Sequence, residues 1–65
     1  MAECELGPDL TDMKADPPVI ICQLNARVTY LEACNLCAEH SPCQPCCDGH
    51  YTTYEAAVIG CYGPG

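Results

Sequence analysis

The chain has no tryptophan and no phenylalanine, and its only basic side chains are Lys14 and Arg27. Without the two largest apolar residues, the core rests on a few Leu, Ile, Val and Met and on four tyrosines, each needing a partner for its hydroxyl when buried. Nine acids against two bases give a formal charge of −7. That balance excludes a nucleic-acid ligand, whose phosphates need a basic footprint. It also excludes cationic lysis of membranes. No run approaches the ~18 apolar residues of a membrane span, so no membrane insertion is expected. The Met-Ala-Glu start has neither the basic nor the apolar region of a signal peptide. The expectation is therefore a mature secreted form with an added initiator Met, rather than a chain kept in a reducing cytosol.

What is abundant is sulfur. Eight of the 65 residues are cysteine, about 12% and above the ~8–10% that marks a disulfide scaffold. A chain this short buries only about 60% of its unfolded surface, so cross-links are needed where the core is thin. The even count and the six prolines agree with an oxidising compartment. Five cysteines crowd into residues 34–47 (Cys34, Cys37, Cys43, Cys46 and Cys47), while Cys4, Cys22 and Cys61 lie far out. The cluster is thus the hub to which both ends are tied. The face carrying Cys34 and Cys37 is expected to bond into Cys43–Cys47 or to Cys61, with Cys4 and Cys22 completing four bridges. Adjacent Cys46 and Cys47 are expected to reach different elements.

Residues 1–18 read as an acidic irregular arm holding Glu3, Glu5, Asp9, Asp12 and Asp16, interrupted by Gly7-Pro8 and Pro17-Pro18 and held by Cys4. Such an arm is either a contact surface for a basic partner or a solvated terminus. Val19–Leu24 suits a short strand, or a helix with Asp16 as cap and Pro17 in its first turn. From Asn25, which can cap, helix is favoured: Val28, Leu31, Cys34 and Cys37 recur every three residues, with Leu24 one step earlier on the same stripe. That helix should stop at Ser41-Pro42. Residues 41–50 read as loop. Thr52 and Glu55 fit a capping box that opens a second helix, closed by Gly60.

Cys34, Cys37, Cys43 and Cys46 have the ligand type and pair spacing of a zinc tetrahedron, with His40 and His50 nearby. Only five residues separate the pairs, little chain to wrap a metal, and four cysteines would be left over. Disulfides are preferred and no cofactor is expected. Cys46-Cys47-Asp48-Gly49-His50 resembles the histidine helix of secreted phospholipases. The position after the histidine is Tyr51 where that family has its metal-binding aspartate, and the chain is about half the length the family needs. No Ser/His/Asp set or carboxylate pair assembles elsewhere, so no enzyme is expected.

The sequence thus predicts one domain over residues 1–65: a small, disulfide-rich, mainly α or mixed α/β miniprotein with four disulfides and a thin core. The expected role is a secreted binding protein that engages an extracellular protein with a basic surface, as inhibitor, toxin-like effector or signal. The contact residues would be Glu3, Glu5, Asp9, Asp12, Asp16, Asp48, Tyr51 and Tyr54. The alternative is an intracellular zinc-binding adaptor. In composition alone the chain is similar to secreted inhibitors of blood-feeding parasites, fungal effectors and ciliate pheromones.

Overall fold

The computed structural model describes residues 4–39 and 42–63. Two helices, α1 (Pro17–Cys37) and α2 (Gln44–Gly60), run antiparallel, and residues 4–16 lie across them without regular structure. Among the described residues there is no strand. The protein is helical and disulfide-rich.

Two prolines start α1, where a missing N–H removes no helical bond. Asp16 precedes them with extended backbone (φ −62°, ψ 148°), and its carbonyl accepts from the N–H groups of Val19 and Ile20 at 2.9 and 3.0 Å. Val19–Leu24 is therefore helix, and the strand alternative falls. Six residues, five of them apolar, are too few to decide a state when the thirteen that follow, to Cys37, continue as one helix. Asn25 is exposed in mid-helix and caps nothing. The helix ends at Cys37, short of the Ser41-Pro42 stop; Ser41, like His40, lies outside the described residues.

The second helix corrects a larger part of the expectation. Residues 44–50, read as loop, form the first two turns of α2, with Pro45 in the opening turn. Asp48 and Gly49 are helical. Thr52 caps nothing; its Oγ1 donates back to the carbonyl of Asp48 at 3.3 Å, the usual i−4 bond of a helix-interior threonine. Gly60 does end the helix, and the chain then turns through Gly63 at φ 86°, a left-handed conformation that suits glycine.

Tyr30, Cys34, Cys37, Cys47, Tyr54 and Val58 form the core, joined by fully buried Gln23. A strict three-residue step drifts around a helix of 3.6 residues per turn, so the predicted stripe leaves the interface at one end. Cys34 and Cys37 are buried, but Leu24 and Val28 are 44% and 51% exposed. The inward positions beside them belong to Gln23 and Tyr30.

Candidate functional site

Three bridges tie the hairpin. Cys22–Cys61 closes one end and Cys37–Cys46 the other, with Cα–Cα distances of 5.7 and 5.8 Å. Cys4–Cys43 fastens the arm beside the second end. Cys46 and Cys47 do not reach different elements, because both face α1. Successive residues at the start of α2 both meet the helix it packs on, and Cys43 takes the arm instead. Cys34 and Cys47 form a fourth, near pair that is unbridged and buried. The Cys47 thiol approaches the Cys34 carbonyl at 3.7 Å, and the Cys34 thiol approaches the Cys47 carbonyl at 4.0 Å. Burial, reinforced by Cys34, pushes the Cys47 thiol up to about 11.

Between these anchors the arm is read by side chains through its backbone. The Glu5 N–H donates to Gln44 Oε1 at 2.9 Å, and Gln44 Nε2 returns a bond to the Glu5 carbonyl at 3.1 Å. The Gly7 N–H donates to the Tyr30 hydroxyl at 2.9 Å. Arg27 donates to the carbonyls of Gly7 and Pro8 at 3.0 and 3.3 Å, and Tyr51 donates to Pro8 at 3.0 Å. The Leu10 N–H donates to the Tyr54 hydroxyl at 2.9 Å. The Asp12 N–H donates to Gln23 Oε1 at 2.8 Å, while Gln23 Nε2 donates to the Val58 carbonyl at 3.4 Å. A buried glutamine so linked joins three segments and leaves neither amide atom unpaired.

The tyrosines hold one another as well as the arm. Tyr30 and Tyr54 stack at 5.1 Å between centroids, and Tyr51 meets Tyr30 edge-on at 5.3 Å. The Arg27 guanidinium lies 5.3 and 5.5 Å from the Tyr30 and Tyr54 centroids. At Gly7 the arm runs so close to Tyr51 that a Cβ would overlap the ring. Burial raises the pKa of Tyr30 and of Tyr51 above the ordinary tyrosine value.

This clamp displays carboxylates. Glu5, Asp9, Asp16 and Asp48 are exposed and Asp12 is half-buried. The Asp9 carboxylate faces Thr11, accepting its backbone N–H at 2.9 Å, with Arg27 and the Tyr54 hydroxyl also close; together they hold its pKa below the usual value. The Thr11 hydroxyl nearby is buried and makes no bond of hydrogen-bond geometry. Asp12 accepts the Tyr62 hydroxyl at 3.0 Å and the Lys14 N–H at 3.0 Å. Tyr51 is half-buried and Tyr54 is buried, both turned to the arm. Glu3 lies outside the described residues.

The zinc set Cys34, Cys37, Cys43 and Cys46 is split: Cys37 bonds Cys46, Cys43 bonds Cys4, and Cys34 faces Cys47. A different trio has its ligand atoms within 4.8 Å of one another, namely Cys37, Cys46 and His50. Compared with protein-family models, curated proteins and solved structures, the chain matches none of them.

Sequence reasoning missed the clamp residues Gln23, Arg27, Tyr30 and Gln44, which carry no motif. It also missed a signal for the hairpin. Cys22 to Cys37 is fifteen residues, and so is Cys46 to Cys61. Fifteen residues are about four helical turns, so each pair shares a face, and antiparallel helices then match both pairs at once.

Proposed function

We infer that this is a secreted, disulfide-locked binding protein whose clamped arm presents carboxylates to a basic surface on an extracellular protein. The observation that carries the reading is the clamp. A segment that could have been a solvated terminus is instead held by a bridge and by a series of side-chain bonds to its backbone, so Glu5 and Asp9 are held in set positions, and Gln44, which binds the Glu5 backbone, also binds Asp48. Preorganised loops lose less conformational freedom on association, and clustered like charge speeds encounter with a partner of opposite sign. Several disulfides in so short a chain suit an oxidising, extracellular setting. No helix among the described residues is long and apolar enough to cross a membrane.

The mature binder carries four bridges on this reading, with Cys34–Cys47 closing in the hairpin interior. Intact mass of the protein from an oxidising host tests that part, since each bridge removes two hydrogens. The binding role is tested by capture from extracellular fluid with the oxidised protein as bait, beside a variant carrying Glu5→Gln, Asp9→Asn and Asp48→Asn. The expected result is a partner retained by the parent, released by salt and lost to the neutralised variant. Equal retention by both proteins would remove the arm from the account.

A further inference from the structure

We propose that Cys37, Cys46 and His50 form a redox-gated site for a thiophilic divalent cation of the zinc class, closed when the two sulfurs are bonded and opened by a thiol reductant. The site does not depend on the binding role above. Cys37 is the last residue of α1, and Cys46 lies in the first turn of α2. His50 stands four residues beyond Cys46, so the two side chains share a helix face, as paired helical metal ligands do. Two thiolates and an imidazole are the donor set that zinc prefers. A Cα–Cα distance of 5.8 Å lets the two sulfurs part to the separation of thiolates on a tetrahedral ion by side-chain rotation, without moving a helix. Cys46 is half-buried and His50 exposed, so both reductant and cation have a way in. Cys22–Cys61 ties the far end of the hairpin.

The chemistry balances. Two molecules of a low-molecular-weight thiol give two electrons and two protons to the Cys37–Cys46 bond and leave as their own disulfide. The protons rest on the two Sγ atoms until a divalent cation displaces them to solvent. The fourth coordination position stays open to water. Cys43, one of the cysteines in the spacing-based set, takes no part, because it is committed to Cys4.

The test treats the oxidised protein with one equivalent of a phosphine, maps the opened bridge by alkylation and mass, and adds cobalt(II) as the probe. The site predicts that Cys37 and Cys46 are alkylated first in the absence of metal. It also predicts a thiolate-to-cobalt charge-transfer band that is absent before reduction and is removed by zinc. Exposed His50 allows His50→Gln without loss of the fold, checked by circular dichroism of the oxidised variant. That change should weaken cobalt binding by about tenfold or more, since even loss of a group that only orients a ligand costs about 10–100-fold in metal affinity. The paired change Cys37→Ser and Cys46→Ser should abolish the band while the remaining bridges hold the helices. Opening of another bridge first, no band from the opened pair, or equal affinity in His50→Gln would each overturn the site.

Discussion

One long face of the helical hairpin is covered by residues 4–16, while the groove on the other side lies bare over Ala26, Ala33 and Ala57, an open hollow of about 160 Å³. Tyr30 and Tyr54 border both. On the covered face almost every long-range bond joins a side chain to the arm's backbone. On the bare face small side chains need no partner, and none of them bonds to the arm. The contrast shows how a chain without Trp or Phe closes its interior: tyrosine supplies the ring area, and its hydroxyl satisfies a backbone that no sheet pairs. The cover is polar and specific, so it should be sensitive to single atoms; the bare face should not.

The largest effect is expected where both faces fail together. Replacing Cys22 and Cys61 by serine removes the far clamp of the hairpin and should cost about 2–4 kcal/mol in denaturant unfolding, the usual range for a native bridge. A loss below that range would mean that packing alone aligns the helices. Next comes Tyr54→Phe, which keeps the stacked ring and leaves the Leu10 N–H without its acceptor. It should destabilise by about 1–3 kcal/mol, the range for an orphaned, partly buried donor.

Alkali offers a third comparison, because Tyr30 has its pKa raised, first by burial. A raised folded value means the folded protein holds the proton more tightly than the unfolded chain. This contribution to stability is complete below the ordinary tyrosine value of about 10 and is lost as pH rises through the folded value. Melting temperature followed from neutral pH into alkali should fall over that window, and Tyr30→Phe should flatten the fall. Asp9 acts in the opposite direction: its lowered pKa contributes stability above 3.8 that is lost as pH falls through the folded value. The smallest effect belongs to the bare face. Ala57→Ser lies on an exposed helix surface and should stay within about 0.5 kcal/mol of the parent. A cost like that of Tyr54→Phe would erase the distinction between the faces.

Composition made the class of fold legible, because eight cysteines in a short chain with few large apolar residues leave cross-linking as the main stabiliser. Gly7-Pro8 and the lack of any sustained period also point to an irregular segment at the start of the chain, and residues 4–16 carry no helix or strand, although Pro17 and Pro18 belong to α1. The start of α2 was not legible. Pro45, Asp48 and Gly49 are turn residues by local preference, and what overrides them is non-local: Cys46 and Cys47 packed against α1. The α1 stripe failed for a geometric reason, in that a three-residue step cannot follow one side of a long helix. The clamp was the least legible part. Gln23 and Gln44 look like surface residues until the arm crosses them, and a side chain that binds a distant backbone leaves no periodicity to find.

The most direct test of the clamp is amide hydrogen exchange on the oxidised protein at neutral pH, read at Gly7, Leu10 and Asp12. Their N–H groups donate to Tyr30, Tyr54 and Gln23 respectively. All three should be protected, and Leu10 alone should lose most of its protection in Tyr54→Phe. Exchange at the rate of a free chain at all three positions, with α1 and α2 still protected, would contradict the clamp: the arm would then be tethered at Cys4 but not held in place.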